Sequence, residues 1–201
     1  ASSFKVKEIY ALREHGIHFS SAIEATRADM ERMSALKSAP GVLAVAEIPE
    51  YNHEEESSGT SIALDGISDP GNLGTLIRTA DWFGFKSIVC SEDTVDTFNP
   101  KTVQAAMGSL FRVQVLRCDL LEFLQNQDRP VMGLDMAGDN LYTHEPSNGI
   151  YILGKESTGL SEPVRELLSG TLNIPGQGEA ESLNVSIAGA LLMSELFRSK
   201  A

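Results

Sequence analysis

The sequence predicts an α/β fold built on a largely parallel sheet, preceded by a small N-terminal α/β segment. Short apolar runs of strand length alternate with amphipathic runs of helix length along most of the chain, the pattern of strands joined by crossover helices. Three of the strand-like runs pass directly into polar turns rich in glycine or proline, and in parallel sheets ligands sit beyond the carboxyl ends of the strands, where such loops emerge. With 201 residues, 42% hydrophobic and 22% charged, the chain is long enough for one substantial core plus a small appendage.

The elements follow in order. Val6–Ala11 reads as a strand, a loop carries His15 and His18, and a helix is expected from about Ser20 to Lys37. No third ligand accompanies the two histidines, so no metal site is assigned to them. Gly41–Ile48 reads as a strand and Tyr51–Gly59 as an exposed acidic connector. Ser61–Asp65 is a short buried strand, and Pro70 and Gly71 turn the chain before Asn72, which is expected to cap the next helix. At about 100° per residue, Leu73, Leu76, Ile77, Ala80 and Phe83 form one stripe of that helix, with Arg78 nearly opposite. Further strands are expected at Ser87–Cys90, Phe111–Val115, Val131–Asp135, Ile150–Leu153 and Leu172–Ile174.

Two later turns resemble the first in kind. Ile150–Leu153 runs into Gly154-Lys155-Glu156-Ser157-Thr158-Gly159-Leu160-Ser161, where two glycines bracket a carboxylate and Ser161 can cap a helix with Pro163 in its first turn. This is not a phosphate loop of the P-loop type, because no lysine follows Gly159. Leu172-Asn173-Ile174-Pro175 leads through a glycine loop to Ser182-Leu183-Asn184 and a long helix, for which Ser182 is the expected cap. That last helix is more apolar than a lone surface helix requires, which points to packing on another subunit.

Bulk properties narrow the function. The net charge of −12 argues against broad electrostatic binding of nucleic acid, yet residues 1–39 carry a net +1, leaving −13 on residues 40–201. No apolar run reaches the roughly 20 residues of a membrane span, and no signal-peptide core is present, so a cytoplasmic protein is expected. Cys90 and Cys118 lack partners at metal or redox spacing and read as reduced thiols.

The three segments, in this order, resemble the SpoU/TrmH branch of the SPOUT RNA methyltransferases. The matching motifs are Asp69-Pro70-Gly71-Asn72 with Arg78, Gly154 with Glu156 and Gly159, and Ile174-Pro175 with Ser182-Leu183-Asn184. The match covers about residues 60–200. Lys155 and Ser157 stand where the family often has Asn and Gly, and Gly176 where Met commonly follows the proline. The resemblance implies methyl transfer from S-adenosylmethionine to a ribose 2′-hydroxyl of tRNA or rRNA, no metal, a homodimer, and a C-terminal trefoil knot that composition and periodicity could not show. It implies a cofactor site at Gly154, Ile174, Leu183 and Ser182, and a catalytic set of Arg78, Asn72, Glu156 and Asn184. Arg78 would be either the base or a clamp on the RNA phosphate. A guanidinium is a poor base, which favours the clamp.

The resemblance further implies a division into residues 1–39, part of an N-terminal RNA-binding domain, residues 40–59, a strand and acidic connector, and residues 60–201, the methyltransferase domain. Residues 1–39 look like only the second half of such an RNA-binding domain, as in a piece of a longer protein. The alternative function is a catalytically inactive scaffold of the same fold that binds RNA. Joint retention of Asn72, Arg78, Glu156, Ser182 and Asn184 favours the enzyme, since a scaffold has no need of that polar set.

Overall fold

The structure, a computed structural model, describes residues 4–15, 20–36, 38–49 and 59–198. The loop histidine His18, the predicted acidic connector over 51–58 and the expected helix end at Lys37 lie outside the described residues. The chain divides into two compact units, Ala1–Glu50 and Tyr51–Ala201.

The first unit holds a three-stranded sheet. β1 (Lys5–Leu12) runs parallel to β2 (Ile23–Ala25) and antiparallel to β3 (Val42–Glu47). The helix expected from Ser20 to Lys37 is only α1 (Arg27–Met33). Two causes shorten it. Residues Ile23–Ala25 find backbone partners on β1, and Thr26 and Asp29 form a reciprocal capping box that starts the helix at Arg27. Leu12, Ala25 and Met30 form a small core between them. The strand expected at Gly41–Ile48 is β3, an edge strand of this sheet.

The second unit is built on six parallel strands, β4 (Ser61–Leu64), β5 (Ser87–Ser91), β6 (Gln114–Cys118), β7 (Val131–Asn140), β8 (Ile150–Leu153) and β9 (Gly170–Asn173). Their spatial order is β6-β5-β4-β8-β7-β9, and every pairing is parallel. Helices α2 (Pro70–Trp82), α3 (Pro100–Ala106), α4 (Leu120–Gln125), α5 (Glu162–Arg165) and α6 (Val185–Arg198) connect or follow the strands. The strand expected at Phe111–Val115 starts later. Ser109–Phe111 is a 3₁₀ turn, and Gln114–Cys118 is the segment in register with β5.

Both faces of the sheet are covered, which is why its central strands read as continuous apolar runs. Because side chains alternate along a strand, Ile62 and Leu64 point into one core, with Leu73, Leu76 and Ile77 of α2 and Leu192, Met193 and Leu196 of α6. Ala63, Val89, Ile150 and Ile152 point into the other, with Leu120 and Leu124 of α4 and Val164 of α5. The stripe predicted for α2 is the observed one: Leu73, Leu76, Ile77 and Ala80 have no exposed surface, whereas Arg78 is exposed. Burying each large member of that stripe stabilises the fold by about 1.5–3 kcal/mol. Glycines let these layers approach. A Cβ on Gly74 would lie 2.5 Å from the Thr102 carbonyl oxygen of α3, and one on Gly189 would strike Leu76 and sit 3.1 Å from Leu153.

Candidate active site

The carboxyl ends of β4, β7, β8 and β9 and the start of α6 deliver the three polar segments to one region. Asp69 rather than Asn72 caps α2. Its side chain accepts the backbone N–H of Asn72 at 2.8 Å, with Pro70 in the first helical turn where its missing N–H costs nothing. Asn72 therefore lies inside the first turn and its amide is free for other partners. Asn72 Nδ2 donates to Glu156 Oε1 at 2.6 Å, and Asn72 Oδ1 accepts from Asn184 Nδ2 at 3.1 Å.

The relay continues at both ends. Ser68 Oγ donates to the other oxygen of Glu156 at 3.5 Å, while Asn184 Oδ1 accepts from the backbone N–H and hydroxyl of Ser186, at 2.9 and 2.6 Å. Ser182 was the expected cap of α6. Instead the helix begins at Val185 and Asn184 serves its first turn, because its side-chain oxygen reaches the Ser186 N–H that the helix leaves unpaired. The orientation of every amide in the relay follows from its neighbours: the Glu156 carboxylate accepts only, so Asn72 must present its NH2 there and its oxygen to Asn184.

A cavity of 710 Å³ lies beside this relay, lined by Leu134, Asp135, Met136, Leu153, Gly154, Ile174, Ser182, Leu183 and Leu191 among others. Glu156 and Ser157 line both this cavity and a smaller cleft around Ser68, Asn72 and Asn184. The four residues expected at a cofactor site, Gly154, Ile174, Leu183 and Ser182, thus border one cavity. Gly154, expected to let a ligand approach, has a different constraint. It is buried, and a Cβ there would collide with the Gly159 and Leu160 backbone, so it admits its own loop. That loop is closed by paired backbone hydrogen bonds between Lys155 and Gly159, both at 2.9 Å, with Gly159 at φ +70°. Lys155, one of the departures from the family pattern, pairs with Asp93 at 2.7 Å and holds the Asp93 carboxyl below its ordinary range.

Arg78 stands apart from this cluster. It is exposed, has no hydrogen-bond or ion-pair partner among the described residues, and lines neither the cavity nor the cleft. Six residues beyond Asn72, it lies roughly 9 Å further along α2. The structure brings Asn72, Glu156 and Asn184 together and leaves Arg78 outside them.

Several residues around the site escaped the sequence reading. Asp65, buried at the end of β4, accepts the backbone N–H of Ser161 at 2.7 Å and ties the second loop to the sheet. Asp135 lines the cavity and accepts from the Ala137 N–H at 3.0 Å and from Arg165 at 2.6 Å. Those contacts, the Ala137 N–H foremost, hold its carboxyl below the ordinary value of 3.8 against the opposing effect of burial. The signal for both was positional: each ends a predicted strand of a parallel sheet, where binding crevices form.

The model of the SpoU rRNA Methylase family matches residues 59–194, and the chain belongs to that family. It is 35% identical over 161 residues to the 23S rRNA (guanosine(2553)-2′-O)-methyltransferase RlmP of Bacillus subtilis, a match covering 77% of this chain and 64% of that protein. Among solved structures, a TrmH-family protein from Porphyromonas gingivalis is 33% identical with a TM-score of 0.82, covering 97% of this chain and 83% of that one. An AdoMet-bound rRNA methyltransferase from Sinorhizobium meliloti is 26% identical with a TM-score of 0.83, covering 97% and 80%. The chain thus spans a little under two thirds of the length of RlmP. Among the described residues no helix is long and apolar enough to cross a membrane.

Proposed function

We propose that this chain carries the site for methyl transfer from S-adenosylmethionine to a ribose 2′-hydroxyl of RNA, with ribosomal RNA as the favoured substrate class. One observation carries the reading: the directed relay from Ser186 through Asn184 and Asn72 to Glu156, set at the rim of a 710 Å³ cavity at the strand ends. Family membership and the AdoMet-bound relative support it.

The residues present fit the cofactor. Leu134, Met136, Leu153, Ile174 and Leu183 offer apolar walls for an adenosyl group, in a volume within the roughly 300–1,000 Å³ of small-molecule sites. Gly176 and Gly178 leave backbone accessible to its polar edges, since nothing lies within 4 Å of a Cβ at either position. When bound, S-adenosylmethionine supplies an electrophilic methyl group on a sulfonium. The chain's own task is to hold the ribose oxygen in line with that methyl, so that the hydroxyl proton can pass to water in the open cleft as the new carbon–oxygen bond replaces the methyl–sulfur bond.

Asn72 and Asn184 orient the ribose, and Glu156 fixes their amides by accepting from Asn72 and Ser68. The exposed Arg78 grips the adjacent phosphate as a charged clamp. Its separation from the relay fits a clamp on a neighbouring group better than a base on the reacting hydroxyl. A second copy of the chain is the proposed partner of the outward side of α6, where Ile187 and Phe197 are about half exposed. The trefoil knot that the family resemblance implies belongs to the same reading, as does the cytoplasm, where ribosomal RNA is found.

The test is methyl transfer by R78A and E156Q proteins that still bind cofactor by calorimetry. R78A is expected to lose roughly 10- to 150-fold in kcat/KM for RNA, the equivalent of one charge-assisted contact of about 1.5–3 kcal/mol, and E156Q to lose activity through disorder of the relay. Full activity in both proteins overturns the site assignment. Absence of cofactor binding by the unaltered protein overturns the enzyme in favour of an inactive scaffold.

A further inference from the structure

Lys155 and Glu156 are adjacent in the β8 loop, and both act on the turn that joins β4 to α2. Glu156 accepts from Ser68 on that turn and from Asn72 in the first turn of α2. Lys155 crosses the start of the turn at Gly66 and ends on the β5 loop, where its ammonium donates to Asp93 Oδ2 at 2.7 Å. The strands on either side of β4 are β5 and β8. The Lys155 side chain therefore links the two loops that flank the turn, passing over the turn itself.

Gly66 marks the crossing. It has φ +70°, and a Cβ there would strike Lys155 Cε, lie 2.8 Å from the Asp93 carboxylate and 3.0 Å from the Lys155 nitrogen. A left-handed backbone with no room for a side chain calls for glycine. The lysine stem thus lies against bare backbone, two residues before the serine that bonds Glu156.

A half-exposed ion pair taken alone contributes little, and the two side chains here are 41% and 56% exposed. What distinguishes this pair is that buried groups fix its far end. Ser91 Oγ donates to Asp93 Oδ1 at 2.6 Å and accepts the Gly66 N–H at 2.8 Å. Having given its one proton to Asp93, Ser91 accepts from the Thr94 hydroxyl at 3.1 Å. Ser91 and Thr94 are both buried, and the Val95 N–H donates to the Ile67 carbonyl at 2.8 Å. The near end is fixed as well, since the Lys155 backbone pairs with Gly159 and the Ser161 N–H donates to the buried Asp65. Lys155 joins two anchors that are already set.

Reach makes lysine the suitable residue. Asparagine, common at this position in the family, is too short to span Gly66 and reach Asp93. The crossing is therefore a feature of this chain's own pairing of Lys155 with Asp93.

We propose that Lys155 is a positioning residue that straps the β4–α2 turn against the β8 loop and so sets Ser68 and Asn72 against Glu156. The proposal rests on the methyl-transfer reading of the relay and adds the device that aligns it.

The test compares the unaltered protein with K155N, D93N and the double variant K155N/D93N. D93N is the sharper probe, because Asp93 lines neither the cavity nor the cleft and its effect reaches the relay through Lys155. Asparagine at 93 keeps an oxygen for the Ser91 hydroxyl and removes the charge that holds the lysine. The direct readout is the side-chain amide of Asn72, followed by heteronuclear NMR and assigned through its loss in N72D. Its proton, donated to the Glu156 carboxylate at 2.6 Å, is expected downfield and slow to exchange in the unaltered protein, and displaced toward the free-asparagine position in K155N and D93N.

At saturating RNA and cofactor, kcat is expected to fall roughly 10-fold in each single variant, within the roughly 10²-fold that a misplacement of about 1 Å can cost. The KM for RNA, and the calorimetric Kd of S-adenosylmethionine for D93N, are expected to stay unchanged. The double variant is expected to match the singles, since either change releases the strap. An Asn72 resonance that stays in place in both singles, additive losses in the double variant, or a cofactor Kd that weakens in D93N in step with kcat overturns the proposal.

The same measurements separate this proposal from the reading it rests on. A displaced Asn72 resonance in K155N and D93N, with no methyl transfer by any of the proteins, keeps the strap and removes the enzyme. Active methyl transfer with equal kcat in every variant removes the strap and leaves the enzyme standing.

Discussion

Asp135 shows how a single carboxylate at the cavity edge is fixed from two sides. Its Oδ1 accepts the Ala137 N–H and its Oδ2 pairs with Arg165, whose Nε also donates to the Leu160 carbonyl at 3.1 Å. One residue therefore joins the middle of β7 to the loop that carries Glu156. These contacts lower the Asp135 pKa from 3.8 in the folded state. A depressed carboxyl contributes stability in full above its unfolded value and loses it as pH falls through the folded value. D135N, which cannot ionise, is therefore expected to melt below the unaltered protein near neutral pH, with the difference shrinking as pH falls below 3.8. Thermal unfolding followed by circular dichroism across that range checks it, and a gap that is constant or widens on acidification contradicts the assignment.

The same scale explains the exchange of caps. Asp69 and Asn72 are both good capping residues, and the backbone decides between them: Pro70 is preorganised for the first helical position, which puts Asp69 at the cap. The consequence is that the Asn72 amide turns to Glu156 and Asn184 instead of to the backbone of α2.

Among the elements, α2 carries the largest share of the architecture: its buried stripe meets β4 and α6, glycine gives α3 close access, and Asn72 joins it to Glu156 and Asn184. Its two glycine contacts are expected to differ in cost. In G74A the new methyl meets the Thr102 carbonyl and the Ala105 side chain, and the backbone cannot yield cheaply. In G189A the methyl meets the end of the Leu76 side chain, which can rotate away. Overpacking costs about 1–3 kcal/mol, against a gain of about 1 kcal/mol from replacing a helical glycine with alanine. G74A should therefore be destabilised relative to G189A in urea unfolding, and the reverse order contradicts the packing described.

The buried stripe of α2 was legible because a 3.6-residue period needs only local sequence. The parallel sheet was legible because apolar runs covered on both faces do not alternate. What failed was set by pairing partners. Ile23–Ala25 and Gln114–Cys118 are strands because β1 and β5 lie beside them in register, and no local pattern states that. Likewise the sequence offered Asn72, Glu156 and Asn184 as candidates through family motifs, while their bonding order emerges only when α2, the β8 loop and the start of α6 meet.

For the whole molecule, charge bears on how the proposed RNA substrate would be met. A net charge of −12 repels polyanions in general, so the proposed binding of RNA would depend on local features: the cleft at Asn72 and the cavity beside it. The cavity lies at the carboxyl ends of parallel strands, where a doubly covered sheet leaves room for a ligand. The most direct test uses S-adenosylmethionine carrying an isotopically labelled methyl group, incubated with the protein and ribosomal RNA lacking the modification, followed by digestion to nucleosides and mass spectrometry. The account predicts label on a ribose 2′-oxygen, reduced in R78A. Label on a base, or no transfer by a protein that binds both cofactor and RNA, would contradict it.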